Sequence, residues 1–400
     1  MTFTQLAVIG LVALLGPVLA YPKGWHLPIV LGELVAGIVL GKTGFGYLDA
    51  GDPKFSFLAD VGFALVMFVA GTHVPLRDPA MRPALRSGAL RAVAVGAVAT
   101  VLAVAVATVF DIPHTPLYAV LMASSSAALV LPIIDGLGLG GPHVIGLLPQ
   151  VAIADSLCIV ALPLAIDPAH ALRAAGGAAA VVAAAVVVWL VLRQLESSGI
   201  RRRVHRVSEE RLFATELRVQ LVVLCALAAL AVATHVSIML AGFAFGLAVT
   251  AVGEPRRLAR QLFALTEGFL SPLYFVWLGA VLDLRQFGSH PGMIALGVVL
   301  GLGGVVAHLV GRLLGQPLPL GMLAAAQLGV PVSAATIGTQ LGVLRPGESA
   351  ALMLGAIVTI GLAVVGGGRA VKAGMVTPVR PGGAAPGGGP GTASAEPAPA

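Results

Sequence analysis

Two charged residues lie inside long apolar stretches of this sequence, where a charge is costly unless it has a partner or a function. Arg312 falls within Gly292–Leu314, and Asp155 falls mid-way along Val144–Ile166. Both stretches are about long enough to cross a bilayer. A guanidinium keeps its charge at any accessible pH, so it needs a carboxylate, water or a backbone carbonyl. The sequence therefore predicts an intramembrane pair of Asp155 and Arg312 beside an ion path.

Asp155 has the chemistry of a site for which two cations compete. A buried carboxylate can hold a proton or a monovalent metal cation such as Na+ or K+, but not both. If such a site faces each side of a membrane in turn, the competition becomes exchange. Ser124, Ser125 and Ser126 add hydroxyl oxygens, which together with freed backbone carbonyls suit these cations. The alternative is an inert buried Asp155–Arg312 pair, although such a pair is costly to bury for stability alone.

The composition is that of a polytopic membrane protein. Of the 400 residues, 58% are hydrophobic and 10% are charged, and the mean hydropathy is +0.98, far from the averages of soluble domains. The formal net charge is +6, but the arginines cluster between apolar spans, so no nucleic-acid partner is expected. The sequence has no metal-ligand spacing, phosphate loop or paired carboxylates of a soluble cleft, so we expect neither an enzyme nor a cofactor.

About 20 apolar residues per span predict an all-α protein with thirteen transmembrane helices. The predicted spans are 4–20, 27–46, 55–73, 88–109, 115–136, 144–166, 170–192, 215–234, 236–252, 267–284, 292–314, 318–342 and 347–368. Loops that would share one side hold most of the 24 lysines and arginines. Because basic residues favour the cytoplasmic side, we expect a multi-pass protein of the cytoplasmic membrane with its N-terminus outside and its C-terminus inside.

The predicted spans divide into two halves of six. Residues 1–192 hold the first repeat (helices 1–6) and a linker helix 7, and residues 193–214 form a basic cytoplasmic loop. Residues 215–370 hold the second repeat (helices 8–13), and residues 371–400 form a disordered tail rich in Pro, Gly and Ala. An odd helix count separates the halves, which gives them the inverted topology typical of secondary transporters.

The fifth span of each half is interrupted. Residues 121–132 read Leu-Met-Ala-Ser-Ser-Ser-Ala-Ala-Leu-Val-Leu-Pro, and residues 326–336 read Ala-Gln-Leu-Gly-Val-Pro-Val-Ser-Ala-Ala-Thr. Broken helices in matching positions indicate a binding site in transporters. Alternatively, the Ser and Gly residues only permit close packing of helices.

Four further motifs resemble the monovalent cation:proton antiporter-2 family, the bacterial Na+/H+ and K+/H+ exchangers. They are Leu27-Pro-Ile-Val-Leu-Gly-Glu-Leu-Val-Ala-Gly-Ile-Val-Leu-Gly41, Leu58-Ala-Asp-Val-Gly-Phe-Ala-Leu-Val-Met-Phe-Val-Ala-Gly71, Leu270-Ser-Pro-Leu-Tyr-Phe-Val-Trp-Leu-Gly279 followed by Asp283-Leu284, and Gln340-Leu-Gly-Val-Leu followed by Ala350–Ile360. The resemblance covers about residues 1–370. It implies a sodium/proton-antiporter-like fold with crossing broken helices. It also implies a homodimer, with a dimer panel of helices 1–3 and 8–10 and a moving core of helices 4–6 and 11–13.

The resemblance also implies site residues. The family's ion-carrying aspartate on the sixth helix matches Asp155, and its basic residue in a Gly-Lys/Arg-x-x-Gly context matches Arg312, which would compensate the charge. The crossing helices match the Ser124–Pro132 and Gln327–Ser333 stretches. The chain departs from the family at Ala154, where Asn, Asp or Gln is usual. One carboxylate per protomer predicts electroneutral exchange.

Several polar residues are open to two interpretations. His308, one helical turn before Arg312, is a proton relay or pH sensor, or else it only packs between helices. Glu33 and Asp60 either touch the ion path or reach only a membrane interface. Glu267 is predicted to begin the tenth helix, where an acid suits the helix dipole.

The alternative function is a non-transporting membrane sensor or scaffold that keeps the antiporter fold. The partners expected for a transporter are H+, Na+ or K+, the lipid bilayer and a second copy of the chain.

Overall fold

The computed structural model describes residues 1–21, 29–72, 81–166, 171–199, 214–234, 236–253, 256–285, 287 and 290–376. The middle of the predicted basic loop, residues 200–213, and the predicted tail from residue 377 onward lie outside this range. Within it the chain is helical, with no strand and one isolated β-bridge between Leu139 and Val376.

The helices follow the predicted spans in order. They are α1 (Phe3–Ala13), α2 (Leu15–Ala20), α3 (Ile29–Leu40), α4 (Pro53–Thr72), α5 (Met81–Phe110), α6 (Thr115–Ala123), α7 (Ala127–Gly136), α8 (Pro142–Ile166), α9 (Ala171–Ser197), α10 (Thr215–Ala233), α11 (Ile238–Val252), α12 (Arg256–Leu265), α13 (Ser271–Val281), α14 (Gly292–Leu309), α15 (Leu318–Ala324), α16 (Gly329–Gln340) and α17 (Glu348–Lys372). A π-helical turn, Thr266–Leu270, joins α12 to α13, and a 3-10 turn, Val310–Leu314, extends α14.

The described residues hold ten helical segments that are long and apolar enough to cross a membrane, and three shorter apolar helices. Together they account for the thirteen predicted spans. Large apolar side chains such as Val186, Leu190 and Val222 are exposed on α9 and α10, as expected of helices whose outer faces meet lipid. The chain is therefore a multi-pass membrane protein.

Both predicted interruptions are real breaks. The first broken helix is α6 and α7, separated by Ser124–Ser126, and Ser124 has an extended backbone (φ −71°, ψ 152°). The second is α15 and α16, separated by Ala325–Leu328. Pro331 follows in the first turn of α16, where a backbone N–H has no partner within the helix, so proline is tolerated there.

Two helix crossings bring backbones into direct contact through reciprocal glycines. A Cβ on Gly37 of α3 would overlap the Val276 carbonyl of α13, and a Cβ on Gly279 of α13 would overlap the Leu34 carbonyl of α3. Small residues permit this close approach in membrane helices.

The second crossing joins α4 to α11 in the same way. A Cβ on Gly71 would overlap the Phe243 carbonyl, and a Cβ on Gly246 would overlap the Phe68 carbonyl. In the predicted spans these crossings join helix 2 to helix 10 and helix 3 to helix 9. In two six-helix repeats of opposite topology, helix 2 corresponds to helix 9 and helix 3 corresponds to helix 10. Such repeats therefore predict that the two crossings are counterparts of each other.

Candidate ion-binding site

The two broken helices touch at their breaks. The Ser125 hydroxyl donates a hydrogen bond of 2.6 Å to the carbonyl oxygen of Ala324, the last residue of α15. Ser125 is 3% exposed and Ala324 is fully buried. The bond therefore connects two helix breaks, 199 residues apart in sequence, inside the protein, at a point where peptide groups are released from regular helix.

Asp155 lies beside this junction. It is on α8 and is 3% exposed, and its Oδ2 atom accepts a hydrogen bond of 2.9 Å from the backbone N–H of Ala127, the first residue of α7. The first N–H groups of a helix lack intrahelical partners and carry a partial positive charge. The negative charge of the Asp155 carboxylate is therefore stabilised by the N-terminus of α7. A cation bound at this carboxylate would be surrounded by oxygen ligands.

The other two predicted serines are also buried in the first break. The Ser124 hydroxyl donates to the Leu121 carbonyl oxygen at 2.8 Å, and the carbonyl of Ser126 accepts the N–H groups of Leu129 and Val130. A hydroxyl that donates its hydrogen still has lone pairs on its oxygen. The Ser124 and Ser125 oxygens are thus chemically able to coordinate a cation without breaking these bonds.

Gln327 lies in the second break. Its backbone N–H donates to Thr359 Oγ1 at 3.2 Å, whereas its buried Nε2 has no hydrogen-bond partner among the described residues. This amide packs against Gly304 of α14, because a Cβ added at Gly304 would lie 2.7 Å from Gln327 Nε2. Ser333, one turn into α16, is 3.3 Å from the Ser237 hydroxyl. The predicted accessory residue Gln327 therefore lies at the junction, while Ser333 points to a neighbouring cavity wall.

The predicted pairing of Arg312 with Asp155 is wrong. Arg312 lies in the 3-10 turn at the end of α14, its side chain is exposed, and no ion pair joins it to Asp155 in the described part of the chain. The apolar stretch around it is long, but its last turn leaves the regular helix, which places Arg312 near one end. A 3-10 turn has about 3.0 residues per turn instead of 3.6, so Arg312 also leaves the helix face on which His308 lies.

A different arginine, half-buried, links two parts of the helix bundle. Arg91, on α5, donates from Nη1 to the Gly146 carbonyl and from Nη2 to the Leu314 carbonyl, each at 3.2 Å. It thereby ties the beginning of α8 to the end of the 3-10 turn after α14. The predicted span 88–109 has Arg91 near its beginning, whereas α5 begins earlier, at Met81, so Arg91 lies within the helix.

His308 is buried on α14, and no hydrogen bond joins it to Asp155 among the described residues. It is 1% exposed, its Nδ1 lies 2.8 Å from the Gly304 carbonyl oxygen of its own helix, and its buried Nε2 has no partner in the described part of the chain. This local bond fits the interpretation of His308 as a packing residue better than that of a relay to Asp155.

The two acids on α3 and α4 lie away from the junction. Glu33 is 3% exposed, where α2 and α3 approach closely at Gly16. Asp60 is half-buried and lines a cavity between helices. The prediction for Glu267 is wrong: it is exposed inside the π-helical turn, because α12 already begins at Arg256 and leaves no helix N-terminus there.

A buried polar cluster that the sequence interpretation missed fixes the start of the first broken helix. Glu348, the first residue of α17, is fully buried and accepts hydrogen bonds from the Tyr118 hydroxyl (2.8 Å) and the Arg345 backbone N–H (2.8 Å). Its Oε1 also lies 2.7 Å from His114 Nδ1. The only sequence signal was an acid at a helix start, which is common at any helix N-terminus.

Comparison with known proteins connects this geometry to a family. The sodium/hydrogen exchanger transmembrane family matches residues 10–372. The putative Na(+)/H(+) antiporter YjbQ of Bacillus subtilis is 24% identical over 377 residues, which cover 88% of this chain. The match covers 61% of YjbQ, so the chain spans about three fifths of the length of that relative. The Na(+)/H(+) antiporter NhaS5 of Synechocystis is 42% identical over 52 residues, 13% of this chain and 7% of that protein.

A solved structure has the same fold. The sodium proton antiporter MjNhaP1 from Methanocaldococcus jannaschii superposes with a TM-score of 0.63 at 16% sequence identity, over 93% of this chain and 98% of that chain. The family match begins at residue 10 and ends at Lys372, the last residue of α17, so it spans both broken helices. This chain belongs to the sodium/hydrogen exchanger family.

Proposed function

We propose that this protein exchanges a monovalent cation, Na+ or K+, for protons, and that Asp155 is the residue for which the two compete. The observation that carries the proposal is the position of Asp155: a buried carboxylate on the first N–H of α7, beside the contact between two helix breaks. A site at such a junction can lose contact with one side of the membrane and gain contact with the other through small shifts of the broken helices. The relatives named Na(+)/H(+) antiporters support the same activity.

Each transport cycle is proposed to move no net charge. Asp155 is preceded by the apolar residue Ala154, which is 5% exposed and cannot titrate or coordinate a cation. With Asp155 alone, the site carries one proton in one direction or one monovalent cation in the other. A transporter that moved net charge would respond to membrane potential by about 2.3 kcal/mol per charge per 100 mV, and this one should not.

We further propose a location in the cytoplasmic membrane with the C-terminal end of α17 on the cytoplasmic side, since most basic loop residues then face inward. A homodimer that forms through helices 1–3 and 8–10 is the expected assembly. Cross-linking of single cysteines placed on α1 would test the dimer, and their reaction with an impermeant thiol reagent would test the orientation.

The transport experiment uses purified protein in liposomes with a trapped pH-sensitive dye. An outward proton gradient is imposed, and Na+, K+ and Li+ are added in turn. Wild type should collapse the gradient on addition of its cation, whereas Asp155→Asn, which keeps an acceptor for the Ala127 N–H, should fold and insert without cation-dependent flux.

Asp111→Asn is the matched control. Asp111 is an exposed acid in the α5–α6 loop with φ 51°, a left-handed conformation that Asn also adopts readily. It should transport like wild type. Wild-type flux in folded Asp155→Asn would refute the mechanism. A folded wild type that gives no flux with any of the three cations would favour a sensor or scaffold.

A further inference from the structure

A cavity of about 580 Å³ lies at one end of the molecule, away from Asp155. Its walls come from the middle of α4, the end of α8, the beginnings of α9 and α11, the end of α10, the middle of α13, and α16. Asp155 is not among its lining residues, and Pro163, which is, follows Asp155 by eight residues, or about 12 Å along a helix. The cavity therefore lies toward the end of α8, beyond the proposed transport site.

Two side chains of the cavity carry oxygen atoms without an ion-pair or hydrogen-bond partner among the described residues. Asp60 is a half-buried carboxylate on the cavity wall, and its side chain forms no ion pair in the described part of the chain. Tyr274, on the same wall, is 1% exposed, and its hydroxyl has no hydrogen-bond partner among the described residues. A buried hydroxyl without a partner costs about 1–3 kcal/mol, so its presence calls for a bound species.

Aromatic residues fix the Tyr274 ring against α4, the helix that carries Asp60. The ring of Tyr274 stacks on Phe63 with centroids 4.7 Å apart and planes inclined by 11°. Phe63 lies one helical turn after Asp60 on α4, so the two side chains share a face of that helix. Trp277 lies one turn after Tyr274, its centroid is 6.4 Å away, and its Nε1 donates to the Ala50 carbonyl at 3.0 Å. The Tyr274 ring is therefore fixed in an aromatic stack on the face of α4 that carries Asp60.

The opposite wall adds neutral oxygen atoms. The hydroxyls of Ser237 and Ser333, 3.3 Å apart, both belong to the cavity lining, as does Thr336. Arg173, which is exposed at the start of α9, is the other charged residue among the described lining residues. One carboxylate surrounded by neutral oxygens suits a monovalent cation, whereas Ca2+ sites usually gather several carboxylates.

We propose that this cavity is a second cation site, in which Asp60 and the Tyr274 hydroxyl hold a partly hydrated monovalent cation. The volume accommodates an ion with its water shell, since a water molecule in the liquid occupies about 30 Å³. Binding at Asp60 rests on the cavity alone. Its place on the route to Asp155 rests on the proposed antiport. The cavity and the junction are connected by α16, which carries Ser333 and begins at the break next to Ser125.

The test uses Trp277 as a reporter inside the cavity. The chain has three tryptophans, so Trp25→Phe with Trp189→Phe leaves Trp277 alone. The probe is thallium(I) nitrate, since Tl+ is a monovalent cation that quenches tryptophan fluorescence on close contact. Quenching in this protein should saturate with Tl+ concentration and should be reversed by excess K+ or Na+.

Substitutions then locate the site. Asp60→Asn should abolish saturation or weaken half-saturation by more than about tenfold, because it neutralises the one carboxylate among the described lining residues. Tyr274→Phe keeps the ring stack and removes one oxygen, so half-saturation should weaken by about 3- to 10-fold. Asp111→Asn should leave the curve unchanged, and Arg173→Gln should shift it toward tighter binding.

Asp155→Asn separates this proposal from the antiport mechanism. Saturable quenching should persist in that variant even though its flux is lost, and it should also persist if wild type proves not to transport. Saturation that survives Asp60→Asn with an unchanged half-saturation point, or that disappears in Asp155→Asn, would overturn the second site. Quenching reversed only by organic ammonium ions, and not by K+ or Na+, would overturn it as well, because the aromatic stack would then bind a different class of cation.

Discussion

The contact between the two broken helices can be tested by removing one hydroxyl. In Ser125→Ala the buried carbonyl of Ala324 loses the hydrogen bond that it accepts at 2.6 Å. An unsatisfied buried polar group costs about 1–3 kcal/mol, and the substitution removes only one buried oxygen atom, so packing adds little. We therefore expect Ser125→Ala to lower the free energy of unfolding by about 2 kcal/mol, or the apparent melting temperature by about 2–3 °C for a chain of this size.

The neighbouring serine supplies the matched control. The Ser124 hydroxyl donates to the Leu121 carbonyl, but that carbonyl also accepts the Ser124 backbone N–H at 3.0 Å. Ser124→Ala therefore leaves no carbonyl without a partner, and we expect a loss below about 0.5–1 kcal/mol. The two substitutions remove the same atoms from adjacent buried positions, so they differ only in what the hydroxyl contacts.

The assay is the temperature at which half of the detergent-solubilised protein is lost from the monodisperse peak in size-exclusion chromatography. Ser125→Ala should reach this temperature earlier on heating than both wild type and Ser124→Ala. If the Ser125 oxygen is a ligand, the concentration of cation that half-saturates transport should also rise in Ser125→Ala. Equal midpoints for the two alanine variants would refute the argument that the Ser125–Ala324 bond joins the breaks.

Four further outcomes are expected. Asp155→Ala and Asp155→Asn should both abolish flux, but only Asp155→Ala should lower the free energy of unfolding, by about 1–3 kcal/mol, and with it the melting temperature, because it leaves the Ala127 N–H without an acceptor. Arg91→Ala should destabilise the protein by about 1–3 kcal/mol in the same melting assay, since the Leu314 carbonyl at the end of the 3-10 turn loses its donor, whereas exposed Arg312→Ala should change stability by less than about 0.5 kcal/mol. Glu348→Gln should cost about 1–3 kcal/mol, because an amide has only one terminal oxygen and cannot accept from both the Tyr118 hydroxyl and the Arg345 N–H. The end-point of exchange should be the same at every potassium–valinomycin diffusion potential when Na+ or Li+ is the substrate, and an end-point that shifts with potential would require a second titrating group.

The broken helices and the buried position of Asp155 could be predicted from sequence because the signals are local. Three successive serines, and a Gly-Val-Pro run in the matching span, weaken a helix at defined points. An acid in the middle of an apolar stretch is costly and is seldom kept there without a function. The order of the helices followed from hydropathy, which is also a local property of the chain.

The partners of these residues could not be predicted, because partners depend on how a helix ends and what it packs against. Hydropathy treats Gly292–Leu314 as one span and does not reveal the 3-10 turn that exposes Arg312. The partner of Asp155 is the backbone N–H of Ala127 and not the side chain of Arg312. A backbone group cannot be recognised from the pattern of side chains in the sequence. Glu267 was misplaced because a π-helical turn joins two helices that the composition separates.

The reciprocal glycines at Gly37, Gly279, Gly71 and Gly246 limit how this protein can move. At both crossings backbone touches backbone, with no layer of side chains that could change rotamer to let one helix slide along the other. The four helices α3, α4, α11 and α13 are therefore expected to act as one rigid unit through any conformational cycle. If the proposed exchange takes place, we therefore expect movement where side chains meet instead, at the contacts of α8 and α16 with that unit across the cavity, and we expect the volume of the cavity to differ between the two ends of that cycle.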